Sequence, residues 1–281
     1  MKVHLDCFPC FLRQAIIALR LGTNDVSLQE AILKSTLEDI QKADTSKPPA
    51  FTTTFIHRKI RQMLGTDPFK DIKSEYNQIA LKLYPSLKTT IENSPDRLWT
   101  STRLAIAGNV IDFGIFTSVD IEGNIRKALN SKIAVDDYDA LKDAIASANE
   151  ILYLTDNAGE IVFDRILIEI LIQLGKKVKA VVKGSPVIND STIEDAKEAG
   201  LTKICEVMDN GSEAVGTILN WTSPAFQKAF KDAQLIISKG QGNFETLIGT
   251  EKRLFFLFQS KCNVVSKELG LLTGSMLLKK S

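Results

Sequence analysis

The sequence predicts an α/β protein: a mainly parallel sheet with helices on both faces, preceded by an all-α N-terminal subdomain. Three observations carry this. Up to about residue 98 the apolar residues recur at helical spacing and no alternating strand pattern appears. Beyond about residue 139 short β-type apolar runs alternate with amphipathic segments, and apolar strands separated by helices mark a parallel sheet covered on both sides. The first of these runs, Ile151 to Leu154, breaks off into Thr155-Asp156-Asn157-Ala158-Gly159-Glu160 and a helical pattern (Ile161, Phe163, Ile166, Leu167, Ile170, Leu171), the signature of strand, tight turn and helix. The boundary is placed so that 1–98 form the helical subdomain and 99–281 the α/β domain.

In the helical part, Cys7-Phe8-Pro9-Cys10 comes first. A C-x-x-C is half of a zinc site, a redox pair, or two small apolar residues near a helix start. Cys205 and Cys262 are single and only His4 and His57 are present, so no second ligand pair has metal spacing and a structural role is expected. Pro9 suits the first turn of a helix through Phe11, Leu12, Ala15, Ile16 and Leu19 that closes near Gly22. The next helix carries Leu28, Ala31, Ile32 and Leu37 with Ser27 as N-cap, and ends before Pro48-Pro49. Phe55, Ile56, Ile60 and Leu64 mark a third. Ile72, Tyr76, Ile79, Ala80 and Leu83 mark a fourth that stops before Pro85, followed by a short helix from Ser86 to Glu92.

Trp99 to Phe116 is helical but contains Ala107-Gly108-Asn109-Val110-Ile111-Asp112-Phe113-Gly114. Asn109 and Asp112 share a helix face among apolar residues. Asn109 either caps a break at Gly108 or joins Asp112 in meeting a metal-bound water or a phosphate. A polar linker from Asn130 to Asp139 leads to strands at Ile151–Leu154, Val178–Val182, Ile204–Val207, Leu235–Ile237 and Leu254–Phe258.

Ligands of an open parallel sheet bind outside the carboxyl ends of its strands. Asp156 and Asn157, Asp190, Lys239 and Lys261 all follow their strands closely, so they gather along one edge. Gly159 lets backbone approach a ligand, and the helix start behind it favours negative charge. Asp156 or Asn157 also suits an ordinary N-cap. Two carboxylates and an amide suit Mg²⁺ or Mn²⁺, lysines suit the oxygens of a transferring phosphoryl group, and Gly240 and Gly242 allow loop amides near the same anion. Neither a Walker-type loop nor a dinucleotide G-x-G-x-x-G is present.

Bulk properties narrow the partners. Among 281 residues 44% are hydrophobic and 25% charged, ordinary for a globular protein, and a net charge of +1 gives no case for nucleic acid or an acidic membrane. The N-terminus is too polar for a secretory signal and no apolar run reaches a membrane span. Four cysteines are too few for a disulfide framework, so a reducing, cytoplasmic location is expected.

At these residues the chain resembles the metal-dependent damage-control phosphatase family, domain of unknown function 89, and most of all its stand-alone microbial branch with an N-terminal C-x-x-C. The matching stretches run nearly the whole chain in order: Cys7–Cys10, Ala107–Gly114, Thr155–Glu160, Lys183–Asp190, Ser238–Glu245 and Lys261-Cys262. The resemblance implies a Rossmann-like α/β domain with the active site in the cleft beside the helical subdomain. It implies hydrolysis of small phosphate monoesters, sugar phosphates or damaged phosphometabolites, with a divalent metal (Mg, Mn, Co or Ni). By motif match Asp156, Asn157 and Asp190 would bind the metal, and Asp156, Lys239 and Asn109 would be catalytic. Lys239 would hold the phosphate, with Glu160, Lys183, Gly184, Gly240 and Asn109 on the phosphate side. The family often has Arg where Lys183 stands, so this chain keeps the charge but gives up a bidentate fork.

The expected mechanism is in-line attack by a water whose pKa the metal lowers, with Asp156 as a covalent nucleophile the variant. Two other classes are a methyltransferase using S-adenosylmethionine on carboxyl groups and a non-catalytic binder of metal or phosphometabolite. Against the first stands a first turn rich in acidic and amide oxygens rather than glycine.

Overall fold

The computed structural model describes residues 1–110, 121–251 and 253–281. Helices α1 (Cys7–Gly22), α2 (Val26–Gln41) and α3 (Pro49–Leu64) enclose a core of their own. Phe11, Ala15 and Leu19 meet Ile32, Ile40, Ile56 and Ile60 there, each set four or eight residues apart on one helix face. Pro49 sits in the first turn of α3, and Gly65 ends it with a left-handed backbone (φ 71°). The N-cap of α2 is Asp25 rather than the expected Ser27: its backbone is extended and its carboxylate accepts the Leu28 amide at 3.1 Å.

Helix α4 (Lys70–Glu92) is a single 23-residue helix that runs through Pro85, where two helices were expected. Tyr76 and Ala80 before the proline and Leu87 and Ile91 after it are buried in one core. Burying Leu87 and Ile91 is worth about 1.5–3 kcal/mol each, which offsets the roughly 3 kcal/mol of an interior proline. Helices α5 (Arg97–Val110) and α6 (Ile121–Asn130) follow. Gly108 is helical and does not break α5. A Cβ on Gly108 would stand 3.0 Å from Phe163, so its absence lets α5 lie close on the helix behind it. Asp112 and the expected helix beyond residue 110 lie outside the described residues.

The α/β part runs β1 (Ile133–Asp136), α7 (Tyr138–Ser147), β2 (Glu150–Leu154), α8 (Glu160–Gln173), β3 (Lys177–Val182), α9 (Ile193–Glu198), β4 (Glu206–Asp209), α10 (Pro224–Asp232), β5 (Leu235–Lys239), α11 (Gln241–Leu247), β6 (Leu254–Gln259), α12 (Asn263–Glu268) and β7 (Met276–Lys280). They form a seven-stranded sheet in the order β1-β7-β6-β5-β2-β3-β4. Strands β2 to β6 are mutually parallel, as the five apolar runs predict. Two further strands escaped sequence reasoning: β7 is antiparallel to β6, and β1 pairs with it in place of the expected polar linker.

Alternation along β2 sends Ile151 and Tyr153 to one face and Leu152 and Leu154 to the other. The first face is covered by α4, α5 and α8, the second by α10, α11 and α12. From the central pair β2 and β5, successive strands proceed to opposite edges, so the loops after β2 and β5 diverge and open a crevice at their carboxyl ends. Among the described residues no helix is long and apolar enough to cross a membrane.

Candidate active site

The turn after β2 is held from three sides. Asn157 and Asp190 form an isolated antiparallel bridge, the Ala158 amide donates to Asn189 O at 2.9 Å, and the Ser191 amide donates to Asp156 O at 2.8 Å. The loops after β2 and β3 are therefore zipped together, and Asp156, Asn157 and Asp190 meet at one place. Gly159 precedes α8 with φ 76° and donates its amide to Asn77 Oδ1 of α4 at 2.7 Å. Glycine is needed again at Gly240, where φ is +83° and a Cβ would overlap the Asp156 carboxylate.

Around this turn the side chains interlock. Asp156 Oδ2 accepts Asn157 Nδ2 at 2.6 Å and Asn109 Nδ2 at 3.1 Å. Glu160, buried, accepts the same two amides on Oε2 at 3.0 and 2.9 Å. Asn109 Oδ1 in turn accepts the Gln259 amide at 3.1 Å, tying α5 to the end of β6. Burial pushes the Asp156 carboxyl well above the carboxylate range, and the negative charges of Glu160 and Asp190 push it further. Burial and the charge of Glu160 also raise Asp190, against the pull of Lys183. Burial works on Glu160 in the same sense, but Lys239, Lys261 and Asn109 outweigh it and leave its pKa low.

Three carboxylates crowded in low dielectric call for positive charge. Two carboxylates with an amide oxygen form a donor set that fits a hard divalent cation. Asn157 Nδ2 donates to Asp156 and Glu160, so its oxygen would join a cation between Asp156 and Asp190 once the side-chain amide turns over. Among the described residues no three His, Cys, Asp or Glu side chains are already grouped as ligands of an ion, so the carboxylates stand near one another without forming a finished cage.

The lysines divide by surroundings. Lys239 is fully buried and its ammonium donates to Glu160 Oε1 at 2.6 Å, Asp164 Oδ1 at 2.6 Å and Ala105 O at 2.8 Å. All three of its protons are engaged, so the expectation that it holds the phosphate gives way to a role behind the site, fixing Glu160. Lys183 is spent similarly, on Asp190 at 3.3 Å and on the carbonyls of Ala214 and Gly216. The amide of Gly184, expected near phosphate, donates to Ser212 O at 2.9 Å and Asn210 Oδ1 at 3.1 Å, and the residue packs on Gly211 with no room for a Cβ. The amide of Gly240 likewise donates to Leu257 O at 3.2 Å. Lys261 differs: its side chain is exposed, and its charge acts on both Asp156 and Glu160.

Sequence reasoning missed several supports. Asp164, fully buried, accepts Lys239 and the Tyr153 hydroxyl on Oδ1, and burial raises its carboxyl to about 7. Its position one turn after Glu160 on α8, an acid on an otherwise apolar helix face, was the available signal. Asn243 donates to Lys239 O at 2.8 Å and Thr155 O at 3.3 Å, joining the ends of β5 and β2. Arg58 and Arg61 of α3 both pair with Glu213, bringing the helical layer over the loop after β4.

Comparison with known proteins agrees with this architecture. The model of the damage-control phosphatase ARMT1-like domain matches residues 3–277. A damage-control phosphatase of Pyrococcus horikoshii is 35% identical, covering 98% of this chain and 97% of that protein. Another from Archaeoglobus fulgidus is 34% identical over 99% of each. A Methanocaldococcus jannaschii protein with no characterised activity is 37% identical, covering 100% of this chain and 96% of its own. The crystal structure of a DUF89 family protein from P. horikoshii superposes with a TM-score of 0.93 at 35% identity, covering 100% of this chain and 99% of that one. With a family model spanning the chain and full-length relatives at this identity, the chain belongs to the damage-control phosphatase family with the ARMT1-like domain.

Proposed function

We propose that this phosphatase hydrolyses small phosphate monoesters, sugar phosphates or damaged phosphometabolites, and depends on a divalent cation held by Asp156, Asn157 and Asp190. The carrying observation is the convergence of Asp156, Glu160 and Asp190, half-buried or buried, around one turn at the point where the sheet's loops diverge. A cation bound there supplies Lewis acidity toward a phosphoryl oxygen. The chain's own groups do the rest. Asn109 and Asn157 hold the Asp156 carboxylate by hydrogen bonds that leave its orientation little freedom. Lys239 keeps Glu160 ionised beneath it. Lys261, exposed and close enough to act on both acids, meets the outer oxygens of the phosphoryl group as charge shifts onto them.

The reading is tested by screening purified chain against p-nitrophenyl phosphate and a panel of phosphorylated metabolites with Mg²⁺, Mn²⁺, Co²⁺ or Ni²⁺, each compared with a chelated control. Phosphate release that requires a metal supports it. Release that is equal in chelator overturns the cation's part, and cation binding without release makes the protein a binder only. Methyl transfer from S-adenosylmethionine in the same preparation would favour the other class.

A further inference from the structure

Three of the four cysteines face one cavity beside Lys261. Cys7 and Cys10 stand one turn apart at the start of α1, and Cys262 follows Lys261 in the loop between β6 and α12. All three line one cavity of about 530 Å³ that also takes in Glu245 and Lys261. Cys7 is buried, Cys262 half-buried and Cys10 exposed. Each sulfur has a donor: the His4 amide to Cys7 at 3.3 Å, Gln14 Nε2 to Cys10 at 3.5 Å, and Gln241 Nε2 to Cys262 at 3.5 Å. The protein packed around it raises the Cys10 thiol although the residue reaches solvent, and the nearby charge that raises it most is that of Cys262, ahead of Glu245.

Two kinds of chemistry suit such a cluster, a soft metal or thiol pairing. Among the described residues no three His, Cys, Asp or Glu are grouped to hold an ion, whereas pairing asks for two sulfurs only. Cys10 is the sulfur an oxidant reaches first, while Cys7 is packed among Phe11 and Val264 in the helical core.

We propose that Cys10 and Cys262 are a redox pair, and that a disulfide between them ties α1 to the loop carrying Lys261 and lowers turnover at the neighbouring site. The disulfide stands on the cluster alone; its effect on turnover rests on the phosphatase reading above. The oxidant is a low-molecular-weight disulfide. The Cys10 thiolate attacks one sulfur of it, breaking its S–S bond and expelling a thiolate that takes up the Cys10 proton. The Cys262 thiolate then attacks the Cys10 sulfur of the mixed disulfide and expels the second thiolate, which takes up the Cys262 proton. Two electrons pass from the pair to the oxidant, which leaves as two thiols. Gln241 carries the consequence. Its Nε2 holds the Cys262 sulfur and Glu245 at 2.8 Å, while its Oε1 accepts the Lys261 amide at 2.7 Å. Drawing Cys262 toward Cys10 takes the sulfur out of this arrangement and moves Lys261 with it.

The test uses the full chain, reduced, then incubated with oxidised glutathione at mildly alkaline pH and digested without reductant. Mass spectrometry is expected to find the Cys10 and Cys262 peptides joined, in wild type and in Cys205→Ser, and not in Cys262→Ser. A Cys7 to Cys10 link alone, thiols that all stay free, or a co-purified metal whose removal exposes the thiols would overturn the pair. Metal-dependent release from p-nitrophenyl phosphate is expected to fall at least about tenfold on oxidation, as misplacement in a site does, and to return with dithiothreitol. A confirmed link with unchanged turnover overturns the coupling. A confirmed link in a chain that releases no phosphate even when reduced upholds the pair and counts against the phosphatase reading.

Discussion

Asn77 Oδ1, on α4, accepts the backbone amide of Gly159 at 2.7 Å, while Asn77 Nδ2 donates to Asp195 and Glu198. One buried side chain from the helical layer thus pins the turn that begins α8 and helix α9 together. Asn77→Ala leaves the buried Gly159 amide without an acceptor, at a cost of about 1–3 kcal/mol. Urea unfolding should show that loss, and cation affinity should weaken as the turn loosens. An unchanged midpoint would show that Asn77 does not hold the turn.

Lys239 and Lys261 should separate in opposite directions. Lys239→Met strands Glu160 and Asp164 as uncompensated buried acids, and breaking a buried pair costs about 3–5 kcal/mol. Lys261→Met, at an exposed position, should stay within about 0.5 kcal/mol of wild type. Its KM for a phosphoester should rise about tenfold or more, the worth of a charged hydrogen bond. Stability and KM measured on both variants check the division; a Lys239 variant that is stable and merely binds substrate poorly would reverse it.

Gly240→Ala brings a methyl group onto the Asp156 carboxylate at a φ of +83°, which only glycine adopts without strain. The sheet beneath is well buried, so the variant should fold, with turnover down about 100-fold from displacement of Asp156. Circular dichroism and phosphate release measured together decide it. Full turnover would mean that Asp156 is free to move.

His57, buried on α3, has its pKa pushed down to about 4 by burial and then by the charge of Arg61. An unfolded chain protonates histidine near its ordinary value of about 6.5. Between these values the unfolded state holds the extra proton, so this contribution is fully present above about 6.5 and is lost as pH falls toward 4. At pH 5 the loss is about 2 kcal/mol. Asp164 and Glu245, both raised to about 7, slope the other way, so the measurement is the difference between wild type and His57→Leu across that range. Parallel stability curves would contradict it.

Much of this was legible in the chain because it followed local rules. Five strands announced themselves as apolar runs, with Asp156 and Asn157 close behind one of them and Asp190 in the loop after another. What stayed hidden depended on distant partners. Strands β1, at the sheet edge, and β7, between β1 and β6, are short and partly polar, and β1 finds its partner β7 more than a hundred residues away. Pro85 signals a break that burial on both sides overrides. Lys239 looks like a phosphate ligand from sequence, since nothing in Ser238-Lys239-Gly240 tells that α8 sends Glu160 and Asp164 to meet it.

The most direct test is calorimetric titration of Mn²⁺ into wild type and Asp156→Asn, a nearly isosteric change that removes one charge. A cation site at Asp156, Asn157 and Asp190 predicts one bound ion per chain in wild type, and binding lost or at least tenfold weaker in the variant, with metal-dependent phosphate release falling in step. Equal Mn²⁺ affinity in the two proteins would contradict it.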